Sequence, residues 1–364
     1  MESMDVNKAF WNGKRVLVTG HTGFKGAWLC LWLTEMGAVV SGLSKAPEGD
    51  PNLWTRRGLK KGRNHSGDGC DLGAVEHGLN TEQPEIVLHL AAQSLVRRSY
   101  REPLDRISTN VLGVAVLLDA ITRTDCVSAC VIVTSAKCYQ NLEQDRAYTE
   151  TDPMGGHDPY SASKGAAELI AASMRNSFFA PQVPNGHQCA IATARAGNVI
   201  GGGDWSEDRL IPDIVRGCLG PEGSVLIRSP NSIRPWQHVM EPLRGYMMLA
   251  ERLCTEGHSF AEGWNFGPDP TDARPVIDVA DAIVSALGRG QIEVAKTAPD
   301  LHEAKLLQLD STKAQRLGWA PNLNFQETVD LTAAWYGDWV KGRDVHDLCV
   351  EQVNMYMNKC GDQL

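Results

Sequence analysis

Tyr160 and Lys164, in YSASK, stand four residues apart, a spacing that puts both side chains on one face of a helix. A phenol beside an ammonium can accept a proton near neutral pH, because the positive charge favours the phenolate and lowers its pKa. Alone, the pair is also an ordinary exposed helix pair. A second pattern gives it company: Gly20-His-Thr-Gly23-Phe-Lys-Gly26 spaces three glycines three apart. Glycine at such places permits a tight turn, close approach of backbone to a pyrophosphate, and contact of helix with strand. Thr22 and Phe24 lie inside this turn, whose backbone N–H groups at a helix start suit phosphate.

These residues work only if strands and helices deliver them to one place. Residues 14–19 (KRVLVT) are a short β-branched run, 26–37 (GAWLCLWLTEMG) has helical periodicity, and 38–43 (AVVSGL) reads as the next strand. Strand, glycine turn, helix, strand is a right-handed crossover that builds a parallel sheet. The pattern repeats through 85–90 (EIVLHL), a helix near 110–121, 129–134 (ACVIVT), a helix over 160–173 and a strand at 189–194 (CAIATA). Runs this apolar are of the kind buried on both faces. The expected fold is therefore α/β, a doubly wound parallel Rossmann sheet with a smaller C-terminal substrate-binding region. After about Gly197 the texture turns to Gly, Pro and Trp, as in GNVIGGGDWSEDRLIP and SPNSIRPWQHV. Residues 1–197 are read as mainly the dinucleotide-binding domain and 198–364 as mainly the substrate domain, with the chain crossing between them. At the end of the second strand Ser44-Lys45 replaces the usual acidic residue. A carboxylate there bonds the ribose of NAD and a basic group can accept the 2′-phosphate of NADP, so NAD and NADP both remain open.

The net charge of −9, from 35 Lys+Arg against 44 Asp+Glu, argues against a nucleic-acid partner, which needs clustered cations. An acidic protein can still hold a small anion through helix N-termini and single arginines. No apolar run is long enough to span a bilayer and no signal-peptide core is present, so no membrane partner and a cytoplasmic location are expected. The ten cysteines form no CxxC and no paired spacing, so reduced thiols and no metal site are expected.

Glycine turn and YxxxK pair together resemble the extended short-chain dehydrogenase/reductase family, the NAD-dependent epimerases and dehydratases, over nearly the whole chain. Further matches are Gly67-Asp68, Ala91-Ala92-Gln93, Asn110 and Thr134-Ser135. The stretches FWNGKRVLVTGHTGFKGAWL, KCYQN, PMGGHDPYSASKG and RAGNVIGGGDWSEDRLIPD resemble the family's sugar-nucleotide dehydratases. The resemblance implies a nucleotide-sugar substrate, CDP-linked, that is oxidised at C4 with bound NAD, loses water across C5 and C6, and regains hydride at C6. It implies that Tyr160 takes the 4-hydroxyl proton, that Ser135 bonds the same oxygen, and that Lys164 holds ribose and tunes Tyr160. It also implies that Asp68, Ala91 and Ala92 contact the cofactor, and that Gln93, Asn198, Arg209, Arg234 and His238 line the sugar-nucleotide pocket. Arg195, Trp205 and Trp236 lie in the same segments, and His302 and Glu303 in a later matching stretch. Arg234 is the best candidate for a diphosphate contact, since a guanidinium meets phosphate bidentately.

One position departs from the pattern. The dehydratases carry Asp after the Ser/Thr at this strand end, where the acid protonates the leaving hydroxyl, and this chain has Ala136. Three explanations stand open: Lys137 with water supplies the proton, a natural aspartate has been replaced, or the protein no longer dehydrates. A 4-epimerase needs no such acid, and a non-catalytic nucleotide binder needs neither Tyr160 nor Lys164. Family members commonly pair through two helices of each subunit, so a homodimer or homotetramer is expected. One of those helices would be 160–173, with small residues Ala162, Gly165 and Ala166 suited to close approach.

Overall fold

A computed structural model describes residues 6–56, 63–295 and 307–361. The first six strands are β1 (Arg15–Thr19), β2 (Val39–Ser44), β3 (Arg63–Ser66), β4 (Ile86–His89), β5 (Ala129–Val133) and β6 (Ala190–Ala196). After them come β7 (Asn198–Ile200), β8 (Ser224–Ile227), β9 (Ile233–His238), β10 (Gly263–Phe266), β11 (Ala273–Pro275) and β12 (Gln291–Val294). Seven of these form one parallel sheet in the order β10-β6-β5-β4-β1-β2-β3. Every residue of β4 and β5 is buried, which is why these segments are uninterrupted apolar runs with helices on both faces. The winding reverses between β1 and β4, and a crevice opens at the strand C-termini where it does.

The Phe24–Glu35 helix buries Gly26 through Leu33 without a polar face. Such a helix must be covered all round. The sheet lies on one side; on the other the C-terminal Val345–Cys360 helix sets Tyr356 edge-on to Trp32, with ring centres 5.5 Å apart. The Pro159–Met174 helix starts at Asp158, whose carboxylate accepts from the Ser161 N–H (2.9 Å) and Ser161 Oγ (2.6 Å), with proline in the first turn.

Residues beyond 197 build two small sheets, β11-β9-β7 and β12-β8, over the crevice. They also return to the main body. The Met240–Glu256 helix packs on β5 and β6, and β10 adds the seventh strand beside β6. Among the described residues no helix is long and apolar enough to cross a membrane.

Candidate active site

The first loop of the crevice is the glycine turn. Gly20 follows β1 with φ +71°, and its N–H donates to Leu43 O at 2.9 Å. A Cβ at Gly20 would lie 2.7 Å from the Ala91 backbone, and one at Gly26 would lie 2.2 Å from Gly20 O. These two glycines therefore let the turn, the β4 loop and the helix start touch. At Gly23 an added Cβ would meet only Gly20 O, at 3.4 Å. That leaves the N-terminus of the Phe24–Glu35 helix open to the cleft, a cradle that fits a dinucleotide pyrophosphate. Thr22 Oγ1 bonds Ser44 Oγ at 2.7 Å, and Lys45 Nζ pairs with Asp68 Oδ2 at 2.9 Å. Lys45, half exposed, is thus paired with Asp68. Below the turn Thr19 Oγ1 bonds His89 Nδ1 (2.7 Å) and accepts from the Ala91 N–H (3.3 Å), locking β1 to β4.

Ser135, directly after β5, shares a side-chain hydrogen bond with Tyr160, and its Oγ accepts from the Lys137 N–H at 3.2 Å. Tyr160 and Lys164 are both buried, one turn apart. Lys164 Nζ donates to Val133 O at 3.3 Å. The expected lowering of the Tyr160 pKa is not found. Burial pushes it up, and the Ser135 bond with the Arg209 and Arg106 charges recovers only part of that. Desolvating a phenolate here outweighs its neighbours. Burial likewise pushes Lys164 down to about 8, with Glu168 opposing.

Asn110 joins the β4 loop to the catalytic helix. Its Oδ1 accepts from the Gln93 N–H (2.8 Å), while Nδ2 donates to Gln93 O (3.1 Å) and Ser163 Oγ (2.9 Å). Asn110 sits in a π-helical turn, Ser108–Leu112, a distortion frequent at functional sites. Arg106 Nη1 donates to Gln93 Oε1 at 3.1 Å.

The glycine turn, Ser135, Tyr160 and Lys164 line one cleft of about 850 Å³ that the second lobe completes, with Asn110 and Arg106 behind its wall. Gly20, Thr22, Gly23, Phe24, Gly26, Asp68, Ala91, Ala92, Gln93, Ser135, Lys137, Tyr160, Lys164, Asn198, Arg209 and Arg234 all face it. Arg209 donates to Asp204 Oδ2 (3.0 Å) and Ser94 Oγ (2.6 Å), and Arg234 Nη1 to Ile233 O (2.8 Å). Ala136 is buried beside the cleft against Cys138, Tyr139, Tyr148, Leu307 and Leu309.

Three expected placements are corrected, those of His238, Arg195 and Gly165. His238 ends β9 in the core, its ring centre 6.3 Å from that of Trp28, and burial depresses its pKa to about 3. It is outside the cleft lining because β9 turns there into the Met240–Glu256 helix. Arg195 is spent on a buried ion pair with Glu168, Nη2 to Oε2 2.8 Å. Gly165 faces inward, where a Cβ would lie 2.9 Å from Gly155 O, so it offers nothing to a partner. Trp205 packs on Trp339 and Tyr336, ring centres 4.8 and 5.3 Å away, although its edge reaches the cleft. Trp236 also borders the cleft while its Nε1 donates to Arg274 O at 3.0 Å. His302 and Glu303 lie outside the described residues. Sequence reasoning passed over Lys25, a variable position of the glycine motif. It is half-buried, donates to Tyr246 Oη at 3.3 Å, and is pushed down to about 7 by desolvation and then by the Arg209 and Lys164 charges.

The chain is 47% identical over 355 residues to CDP-glucose 4,6-dehydratase of Salmonella typhimurium, covering 97% of this chain and 99% of that one. It is 30% identical to dTDP-glucose 4,6-dehydratase of Streptomyces griseus, covering 88% and 93%. The fold is shared with dTDP-glucose 4,6-dehydratase of Streptomyces venezuelae (TM-score 0.75, 24% identity, 89% and 97% covered). It is also shared with UDP-glucose 4-epimerase of Thermotoga maritima (TM-score 0.77, 22% identity, 89% and 99% covered). The GDP-mannose 4,6 dehydratase family model matches residues 17–332, and with the glycine turn and the Ser135–Tyr160–Lys164 cluster facing one cleft, the chain belongs to that family.

Proposed function

We propose that this chain is a hydro-lyase that converts CDP-glucose to its 4-keto-6-deoxy product with NAD. The observation that carries the reading is the delivery of Ser135, Tyr160 and Lys164 to the same cleft as the glycine turn. The 47% identity to a CDP-glucose 4,6-dehydratase supports the substrate. Gly20, Thr22, Gly23, Phe24 and Gly26, with Asp68, Ala91 and Ala92, hold the dinucleotide. Gln93, Asn198, Arg209 and Arg234 hold the sugar nucleotide, the arginines meeting its diphosphate. The division near residue 197 between these two duties belongs to the same reading. NAD is favoured over NADP because a 2′-phosphate near Lys45 would have to compete with, and sit beside, the Asp68 carboxylate.

When bound, NAD supplies a hydride acceptor at C4 and returns the hydride at C6. Tyr160 removes the 4-hydroxyl proton, with Ser135 bonding the same oxygen and Lys164 holding the ribose and favouring the phenolate. The 4-ketone acidifies C5–H, so Lys137, an ionisable side chain facing the cleft beside Ala136, can take that proton. The 6-hydroxyl leaves as water. Lys137 with a water molecule returns the proton that departure requires, and the proton that Tyr160 took reaches C5 through water as hydride adds at C6.

Ala136 favours a second reading, a family member that oxidises C4 but does not eliminate, or that epimerises there, because a methyl group donates no proton. Incubation with CDP-glucose, followed by mass spectrometry and NMR, tests both. The expected product is lighter by about 18 mass units, one water. A mass-neutral product inverted at C4 would replace the first reading by the second.

Ten cysteines, none of them in a disulfide, support a reducing, cytoplasmic setting. A homodimer is part of the proposal. Leu104, Ile107, Leu112, Leu169 and Phe178 are exposed on segments that pack together, Leu104 at 79% and Leu169 at 61%, and apolar side chains so grouped mark an association surface.

A further inference from the structure

Glu168 is a fully enclosed carboxylate on the catalytic helix, one turn past Lys164, and the scheme above gives it no task. Its two oxygens collect donors from two strands. Thr134 Oγ1, at the end of β5, donates to Oε1. From β6 come Thr193 Oγ1 (2.6 Å), Arg195 Nε (2.9 Å) and Arg195 Nη2 (2.8 Å). Arg195 Nη1 then reaches Tyr139 Oη (2.7 Å) and Glu150 O (3.2 Å). Thr134 directly precedes Ser135, and Tyr139 directly follows the turn that carries Ala136 and Lys137. One helical side chain therefore sets the height of Tyr160 and Lys164 against both flanks of the Ser135 turn.

A buried ion pair is a weak source of stability compared with a packed apolar pair, but its bidentate geometry is strict. Lys164 has a second need. Buried away from water, it faces Arg106 from the Pro103–Ile107 helix, His89 from β4 and Lys25 from the Phe24–Glu35 helix. Glu168 is the main charge opposing that burial, since the Cys138 thiol of the turn after β5 is held neutral by its own burial. Glu168 itself also faces Cys138 and Arg175 besides Arg195.

We propose that Glu168 is a positioning residue, fixing the catalytic helix on the ends of β5 and β6 and keeping Lys164 an ammonium in a dry site. This rests on the reading that Tyr160 and Lys164 carry the proton chemistry. The test is NMR titration of Lys164 in 15N-lysine-labelled, NAD-loaded protein, its signal assigned with Lys164→Arg. In Glu168→Gln the Lys164 midpoint falls by about one pH unit, and the high-pH limb of C4 oxidation falls with it. Glu168→Asp restores both in part. A Glu168→Gln midpoint equal to that of the unaltered protein overturns the proposal. Should Glu168→Gln fail to fold because Arg195 is left unpaired, Glu168→Gln/Arg195→Met removes both charges, and its Lys164 midpoint is compared with that of Arg195→Met, which keeps the carboxylate. If the unaltered protein leaves CDP-glucose untouched, the proposed function fails while the Lys164 midpoint still decides the role of Glu168.

Discussion

Ala136 is enclosed at the lip of the cleft, between a serine that bonds Tyr160 and a lysine that lines the cleft. An aspartic acid there would be partly desolvated, which raises a carboxyl pKa and keeps it protonated near neutrality, the state a proton donor needs. Ala136→Asp is therefore expected to accelerate water loss from CDP-glucose by about 10²-fold or more, the usual scale for a positioned acid. The rate of dehydrated product formation under single turnover measures it; an unchanged rate would show that Lys137 and water already suffice. Burial also decides Tyr160. With its pKa raised in the ligand-free protein, phenolate formation in that state belongs to alkaline pH. Ultraviolet titration of the protein against Tyr160→Phe should show this residue less than half ionised at its ordinary midpoint of about 10.

The elements that the sequence announces are those whose own residues decide them. β1, β2, β4, β5 and β6 are apolar, β-branched runs, and the glycine turn and the Tyr160/Lys164 pair depend on spacings of three and four. β3 (RNHS) is a polar edge strand without alternation, and β10 (GWNF) becomes a strand because the Met240–Glu256 helix seats it beside β6. Non-local pairings such as Glu168 with Arg195, or Lys45 with Asp68, carry no short-range signal. A similar pairing controls the C-terminal tail. Glu241 on the Met240–Glu256 helix accepts from the Asn322 (3.0 Å) and Leu323 (2.7 Å) N–H groups and from Tyr356 Oη (2.7 Å). Burial pushes its pKa up to about 7 despite these donors. The folded chain thus holds a proton that the unfolded chain releases above about pH 4.3, and unfolding free energy falls as pH rises from there to about 7. At roughly 1.4 kcal/mol per pH unit the loss is a few kcal/mol. Urea unfolding of Glu241→Gln should lack this component of the slope, with a stability at pH 8 equal to or above that of the parent.

At the scale of the molecule, exposed leucines lie on the Pro159–Met174 helix and on the segments packed against it. Leu169 lies on the same helix as Tyr160 and Lys164, pointing away from them into solvent. Leu169→Glu places a charge on the proposed dimer face, and sedimentation velocity should then report a monomer; an unaltered sedimentation coefficient would move the interface elsewhere. The seventh strand has a different reach. β6 is complete at Ala196, but its outer edge is covered only when Gly263–Phe266 pairs with it. Between them lie 66 residues, 197–262, which a ribosome takes about 3–13 s to add at roughly 5–20 residues per second. Throughout that interval the nascent N-terminal half carries an unpaired hydrophobic sheet edge, the kind of template on which chains aggregate. Its synthesis is the window in which a chaperone matters most, and a chain terminated near residue 197 should be insoluble.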